Sequence, residues 1–383
     1  MGGAVSSPRP PRAPRPPHTR IGAGPAVLLA TVAAGVVAGA ALNLVTVDDV
    51  VFHPGPVYDT LGKVGEHDVI ALDDELATHP TEGHLYFTTI TLEGGPGDPL
   101  TAWEALRARF DPSTSTVPRE QIFPEDVTAD QVREQNTSLM KHSQQDAAVV
   151  ALRADGVRVP EHIVVAQVIA GAPADGILHV DDQILAVDGD EMSDYTAVRD
   201  RLQEVDPGDS VPMSILRDGE KVTLDVPTKK DEESGRTMVG VLLAPSYELP
   251  YDVTIDAGNV GGPSAGLMFS LAVYDELTPG ALTGGRSVAG TGEIASNGQV
   301  GGIGGIKQKM YAAHEAGAEL FLAPADNCDE VVGSTPDGLP VAAVHTFDEA
   351  RAVLEQVAAS DDLSTVDLPT CAQVLQDAAT TTG

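Results

Sequence analysis

Two glycine-rich segments each place a reactive side chain at the start of a predicted helix. In the first, Pro263 suits a first helical turn, and Ser264 follows it next to unpaired backbone N–H groups such as that of Gly262. Such donors can hold the oxyanion that forms when a hydroxyl attacks a carbonyl. In the second segment Lys307 follows Ile306, and burial among apolar groups would make its amine a base for the serine. The pair predicts a Ser-Lys peptidase.

Three ordered motifs resemble the proteolytic domain of Lon proteases. They are Gly-Pro-Ser-Ala-Gly at 262–266, Thr-Gly-Glu-Ile at 291–294 and Gly-Gly-Ile-Lys at 304–307, with Ser264 and Lys307 43 residues apart. The resemblance implies that Ser264 is the nucleophile, Lys307 the general base and Thr291 a hydrogen-bonding neighbour of the lysine. It also implies protein or peptide substrates, no cofactor, and a ring-like homo-oligomer such as a hexamer.

Other chemistries lack their required residues. A phosphate-binding loop needs Gly-Lys followed by Ser or Thr, but Ile306 and Gln308 flank Lys307, so we expect no nucleotide and no dependence on ATP. A histidine-based site would have to use His314, which we interpret as a solvated helix residue. The histidines and cysteines show no zinc-binding pattern, so no metal is predicted.

A second resemblance covers residues 155–230, which are similar to a PDZ domain, a small, partly open β-barrel with helices. PDZ domains add an extended peptide to a sheet edge and hold its carboxylate on backbone N–H groups. The candidate loop for this consists of Gly156, Val157, Arg158 and Val159. The alternative is a spacer that binds no peptide.

The order of the elements predicts an α+β protein with a discontinuous protease domain. Residues 46–154 would form its N-terminal part, with a strand at 83–92 and a helix that begins with the capping box Thr128–Gln131. The PDZ domain would follow, and residues 236–358 would form the Lon-type catalytic part.

The N-terminal region predicts a membrane anchor. Residues 1–20 are basic and proline-rich, and residues 21–45 carry no charge and are long enough to cross a bilayer as a helix. The positive charge before this span predicts a single-pass protein of the cytoplasmic membrane, with its N-terminus inside and its catalytic body outside. The alternative is a secreted protein whose signal peptide is cleaved near 38–40.

Charge and cysteines limit the partners further. The net charge of −34 argues against binding to nucleic acid. Cys328 and Cys371 are the only cysteines, and a compartment outside the cytoplasm would permit a disulfide between them. Residues 359–383 form an acidic tail for which we predict no structure.

The sequence thus predicts a membrane-anchored, ATP-independent serine endopeptidase with a Ser-Lys dyad. Its substrates would be unfolded or tail-exposed proteins outside the cytoplasm, selected or gated by the PDZ domain. The alternative is a catalytically silent PDZ scaffold or sensor protein.

Overall fold

The structure of the protein is a computed structural model that describes residues 23–124, 127–232 and 234–381. The predicted basic tail, residues 1–20, lies outside these residues. The described residues form a mixed α+β protein, which confirms the predicted class. They divide into two compact units, one with residues 23–51 and 92–124, the other with residues 52–91 and 127–381.

The α-helices are α1 (Ala23–Leu42), α2 (Ala102–Ala108), α3 (Ala129–Ala154), α4 (Tyr195–Gln203), α5 (Gly266–Leu277), α6 (Ile306–Glu315), α7 (Cys328–Val331), α8 (Phe347–Ala358) and α9 (Cys371–Thr381). Short 3₁₀ turns occur at Arg119–Gln121, Ala325–Asn327 and Leu363–Thr365. The strands are β1 (Thr46–Val47), β2 (Asp49–Asp59), β3 (Lys63–Val64), β4 (His67–Asp68), β5 (Ile70–Leu72), β6 (His84–Glu93), β7 (Leu100–Thr101), β8 (Ser115–Pro118), β9 (Glu161–Val168), β10 (Gln183–Val187), β11 (Asp190–Glu191), β12 (Ser210–Arg217), β13 (Glu220–Pro227), β14 (Lys229–Lys230), β15 (Thr237–Met238), β16 (Val241–Tyr247), β17 (Val253–Ile255), β18 (Ser287–Gly290), β19 (Glu293–Ile294), β20 (Val300–Gly301), β21 (Leu320–Pro324) and β22 (Val341–Val344).

The first unit is small and has a small core of its own. Strands β1 and β7 pair antiparallel, with Val47 opposite Leu100. Helix α2 begins at a capping box in which the Thr101 hydroxyl and the Glu104 carboxylate bind each other's backbone N–H groups. Val51, Leu100 and Ala108 are buried together in this unit.

The predicted anchor over residues 21–45 overlaps α1, which begins at Ala23. Among the residues that the structure describes, no helix combines the length and the apolar character needed to cross a bilayer. The anchor therefore receives no support from the structure, and residues 21 and 22 lie outside the described part of the chain.

The second unit contains the sheet that carries the site. Strands β6, β18, β21 and β22 lie parallel in the order β22-β21-β18-β6, and β2 lies beyond β6. Helix α5 packs against α3 and the sheet, and its residues from Gly266 to Val273 are all buried. A helix that is apolar all round is one that the core surrounds, so α5 is the central helix of this domain.

The PDZ segment forms a separate antiparallel sheet within the second unit. Its strand order is β13-β12-β10-β9-β16, and it has its own hydrophobic core. Strands β12 and β13 form a hairpin that turns at Asp218, which has a positive φ of 51°. In the chain, the segment lies between α3 and β17, and α3 packs mainly against α5.

One predicted domain boundary is wrong. Strand β16 was assigned to the catalytic part that begins at 236, but it pairs with β9 along its whole length, with Tyr247 opposite Glu161. The PDZ sheet therefore includes residues 241–247. At the end of β16, the Tyr247 hydroxyl donates to Ser296 Oγ at 2.5 Å, and the Arg153 guanidinium lies over the Tyr247 ring.

The C-terminal region is more ordered than predicted. The acidic tail 359–383 contains α9, and the disulfide between Cys328 and Cys371 ties this helix to α7. The Pro369 carbonyl also accepts a hydrogen bond from the Ala343 N–H of β22. The predicted disulfide is thus present, whereas the prediction of an unstructured tail is wrong.

Candidate active site

Ser264 lies in a tight turn between β17 and α5. The Gly262 backbone has a positive φ of 87°, which favours glycine, and its N–H donates to the Asn136 carbonyl of α3 at 2.9 Å. The Ser143 hydroxyl, also on α3, donates to the Pro263 carbonyl at 2.8 Å. Helix α3 therefore holds the turn at two successive residues, and the half-buried Ser264 side chain follows directly.

Lys309 is the lysine beside this serine. Its Nζ lies 2.7 Å from Ser264 Oγ and 2.9 Å from Thr291 Oγ1, and its side chain is 2 % exposed. Burial lowers the pKa of Lys309 to about 7, while the nearby Glu293 carboxylate opposes that shift. A buried amine with this pKa is neutral in a large fraction of molecules near neutral pH, as a base must be.

The prediction of Lys307 as the partner of Ser264 is therefore corrected to Lys309. Successive helical residues are about 100° apart, so the two lysines of α6 project about 200° from each other. Lys309 lies about 60° around the helix from the buried Ile306 and about 40° from the buried Ala313, on the face that packs inward. Lys307 is half-buried on another face. The helical period of the apolar residues is the sequence signal that identifies Lys309.

Thr291 determines how the amine is oriented. Its hydroxyl donates to the Ser264 carbonyl at 2.8 Å, so it can only accept from Lys309. A neutral Lys309 then donates an N–H to the Thr291 hydroxyl, and its lone pair can accept the proton of Ser264 Oγ. The Gly292 N–H donates to the same Ser264 carbonyl at 2.8 Å. Thr291 was predicted as a neighbour of the lysine, and the structure places it next to Lys309.

Glu293 is the charged residue that acts on the amine through its electrostatic field. Partial burial raises the pKa of the Glu293 carboxyl, and the Lys309 charge acts in the opposite direction. The carboxylate in turn favours the protonated form of Lys309. The charge of each group therefore stabilises the charged form of the other.

The oxyanion donor predicted at Gly262 is not available. Its N–H already donates to Asn136, and Pro263 has no N–H. The N–H groups of Ser264 and Ala265 come next in the chain, and neither donates to a backbone carbonyl in the part of the chain that the structure describes. These two groups precede the first turn of α5 and replace Gly262 as the candidate donors.

The predicted PDZ loop lies elsewhere. Val159 is buried in the core of the catalytic domain and Val157 packs against that core, while Gly156 and Arg158 are exposed beside them at the end of α3. They do not form a sheet edge, because β16 covers the outer edge of the first PDZ strand, β9.

In the described residues, the PDZ sheet has two edge strands, β13 and β16, and β16 is the one that lies next to helix α4. The turn before this strand contains Gly240 with a positive φ of 84°, and Leu242 is 54 % exposed on the strand itself. The apolar-Gly-apolar sequence at 239–241 leads into this edge strand and is the sequence feature that marks where the strand begins.

His314, the histidine considered as an alternative base, is exposed at the end of α6. The side chain next to Ser264 Oγ is the amine of Lys309, so the arrangement is that of a serine and a lysine.

Comparisons with known proteins agree with this geometry. Residues 252–358 match the Lon protease (S16) C-terminal proteolytic domain, and residues 140–228 match a PDZ domain. The chain is 32 % identical over 142 residues to Lon protease 1 of Bacillus subtilis, a match that covers 35 % of this chain and 17 % of that protein. It is 39 % identical over 98 residues to Lon protease of Clostridioides difficile, which covers 25 % of this chain and 12 % of that protein.

Among solved structures, the PDZ domain of the SdrC-like protein of Listeria monocytogenes is 22 % identical. The match covers 21 % of this chain and 85 % of that one, with a TM-score of 0.21. The matched segments amount to less than a fifth of the two Lon proteases. The family matches support a serine peptidase with a Lon-type proteolytic domain and a PDZ domain.

Proposed function

We propose that this chain is a serine endopeptidase in which Ser264 is the nucleophile and Lys309 the general base. The observation that carries the proposal is the 2.7 Å distance between Lys309 Nζ and Ser264 Oγ, together with the burial that lowers the pKa of the lysine to about 7. A serine hydroxyl becomes a useful nucleophile only when such a base takes its proton.

The reaction follows from the hydrogen bonds of the site. Neutral Lys309 accepts the Ser264 proton while Oγ forms a bond to the substrate carbonyl carbon, and the Ser264 and Ala265 N–H groups stabilise the oxyanion. The Lys309 ammonium then gives its proton to the leaving amine as the C–N bond breaks. Water, deprotonated by Lys309, attacks the acyl-enzyme and releases the second product and Ser264.

A groove beside the serine turn fits an extended substrate. It is lined on one side by Val132, Asn136 and Met140 of α3 and on the other by residues 254–261, and its end at Gly261 lies three residues before Ser264. An open groove of this kind accommodates a single extended chain better than a folded domain. We therefore propose unfolded or tail-exposed proteins as substrates, and hydrolysis that needs no ATP.

The PDZ domain would select or gate these substrates. An extended peptide segment would add to the free edge of β16 beside α4, with the turn at Gly240 available for a terminal carboxylate. A ring-like homo-oligomer is the assembly that the Lon resemblance implies, and the mass of the purified chain in solution tests it.

The buried disulfide between Cys328 and Cys371 supports a location outside the cytoplasm, because such bonds persist in oxidising compartments. Membrane attachment through residues 21–45 stays a prediction. Alkylation of thiols in intact cells, followed by carbonate extraction of membranes, tests both points. A chain with two alkylated cysteines would contradict the location, and release of the uncleaved chain by carbonate would contradict the anchor.

The decisive experiment compares matched variants on an unstructured protein such as casein, without nucleotide. We expect Ser264→Ala and Lys309→Ala to abolish cleavage, whereas Lys307→Ala, two residues away on the same helix, should retain it. Lys309→Arg should also be inactive, because a guanidinium stays protonated. Equal, negligible cleavage by the unmodified chain and Ser264→Ala would favour a PDZ scaffold, and loss of activity in Lys307→Ala alone would refute Lys309 as the base.

A further inference from the structure

The turn that precedes the lysine-bearing helix is held by one buried amide side chain. We propose that Asn327 is a positioning residue that sets the start of α6 and thereby places the Lys309 amine against Ser264. The inference rests on the proposed role of Lys309 as the base, and it assigns to Asn327 no contact with the substrate.

Asn327 binds both backbone groups of a single residue. Its Oδ1 accepts from the Ile303 N–H and its Nδ2 donates to the Ile303 carbonyl, each at 2.8 Å. Nδ2 also donates to the Glu330 carboxylate at 3.3 Å, and Asn327 is 5 % exposed. A side-chain amide that satisfies a buried N–H and C=O in this way replaces a strand partner. The position of Ile303 is therefore fixed by Asn327.

The connection from Ile303 to the lysine is short and rigid. Gly305, with a positive φ of 72°, directly precedes α6 as its N-cap residue, and a Cβ at this position would lie 2.9 Å from Ile90 Cγ2. The Lys309 N–H then donates to the Gly305 carbonyl in the first turn of the helix. Lys309 is thus six residues after Ile303, and the last four of these six residues are in α6. A shift at Ile303 moves the start of α6 and with it Lys309.

Asn327 itself is anchored from two sides. It follows β21, the strand next to β18 in the parallel sheet, and it precedes Cys328, whose disulfide reaches Cys371 on α9. Cys328, Ile303 and Ile306 are buried in one hydrophobic cluster with Cys371. The turn that carries the Asn327 amide is therefore held by β21 and by the disulfide. A side chain that positions another group needs such support.

Removal of the Asn327 amide should raise the pKa of Lys309, which a general loss of stability would not do. The turn relaxes, because the buried N–H and C=O of Ile303 lose their partners. Lys309 then moves away from Ser264 and towards water, and since burial is what lowers its pKa, the pKa rises. The pH at which the rate reaches half its plateau should rise with it.

The test uses the full chain with Asn327→Ala and Asn327→Asp. Asn297→Ala is the control, since the Asn297 side chain is exposed and accepts a local hydrogen bond from the Gln299 N–H. We expect kcat on an unstructured protein to fall about tenfold to a hundredfold, because a displacement of about 1 Å has effects of this size. KM should stay within about twofold, and the pH midpoint of kcat should rise by about one unit. Competitive labelling of amines, read by mass spectrometry, measures the Lys309 pKa without any need for activity.

Each outcome decides the question. A folded Asn327→Ala or Asn327→Asp chain with the original kcat, pH midpoint and Lys309 pKa overturns the proposal, as does a lower kcat with an unchanged midpoint and unchanged labelling. If the alanine variant does not fold, Asn327→Asp decides, because it keeps the acceptor for the Ile303 N–H. Full activity of Ser264→Ala or Lys309→Ala would instead refute the proposed function, which separates the two failures.

Discussion

Replacement of Lys309 by methionine should abolish activity and stabilise the fold, by an amount that depends on pH. The folded chain holds the Lys309 pKa at about 7, against 10.5 in the unfolded chain. At one unit of pKa per about 1.4 kcal/mol, this burial costs about 5 kcal/mol well below pH 7 and about 4 kcal/mol at pH 7, where half of the folded lysine is protonated. Between pH 7 and pH 10.5 the unfolded lysine holds a proton that the folded one has released. The stability of the lysine form therefore rises with pH in that window.

The contribution of the Lys309 pKa shift can be separated from other effects of the substitution by comparing the free energies of unfolding at two pH values. At pH 9 the remaining cost is about 2 kcal/mol, so the advantage of Lys309→Met over the unmodified chain should shrink by about 2 kcal/mol between pH 7 and pH 9. The hydrogen bonds lost to Ser264 and Thr291 are lost at both values, so they cancel in this comparison.

Urea unfolding at pH 7 and pH 9, with the disulfide intact, measures this change in the free energy of unfolding. Lys307→Met is the matched control and should keep the pH dependence of the unmodified chain, because Lys309 is still present. If Lys309→Met and the unmodified chain differ by the same amount at both pH values, the lysine is not held neutral by burial, and the reasoning about the base fails.

Three further predictions test other parts of the second unit. Glu293→Gln removes the charge that opposes the burial of Lys309, so the pKa of the lysine should fall and the acidic limb of the pH-rate profile should move to lower pH. Burial raises the pKa of Asp146 to about 6; the stability that its protonated form provides is present below pH 3.8 and lost as the pH rises through 6. Thermal unfolding should therefore show Asp146→Asn more stable by about 1 kcal/mol at pH 7.5, after allowance for water contact, with no gain at pH 3.5. Cys371→Ser opens a loop of 43 residues and should lower the free energy of unfolding by about 4 kcal/mol in denaturant titrations. An unchanged pH-rate profile in Glu293→Gln would contradict the first expectation, and an equal gain of Asp146→Asn at both pH values would contradict the second. An unchanged denaturation midpoint in Cys371→Ser would contradict the third.

Local signals predicted the start of α3 and the limits of β6. The capping box of Thr128 and Gln131 fixed the start of α3, and the structure shows both of its hydrogen bonds. Strand β6 also lies within a residue of its predicted limits, 83 and 92. These elements are determined by neighbours in the chain, which is why the sequence alone could find them.

The errors concern contacts between distant residues. Lys307 and Lys309 differ by two positions; the apolar period of α6 places Lys309 on its buried face, but the contact of that face with Ser264 joins residues 45 apart in the chain. The pairing of β16 with β9 joins residues about 80 apart, and no local pattern indicates it. Helix α9 depends on a disulfide to α7 and on a partner strand, so its own polar sequence does not predict order.

Helix α3 contributes to several parts of the molecule along its length. Its first half lines the groove, its middle residues Asn136 and Ser143 hold the turn before the nucleophile, and its last turn ends seven residues before the first PDZ strand. Since a helix moves largely as a rigid rod, the groove wall, the turn before Ser264 and the connection to the first PDZ strand should move together with α3. A substitution that repacks α3 against α5 should therefore change substrate affinity and nucleophile alignment together, and an engineer who wants to vary them separately would have to work from the opposite wall of the groove.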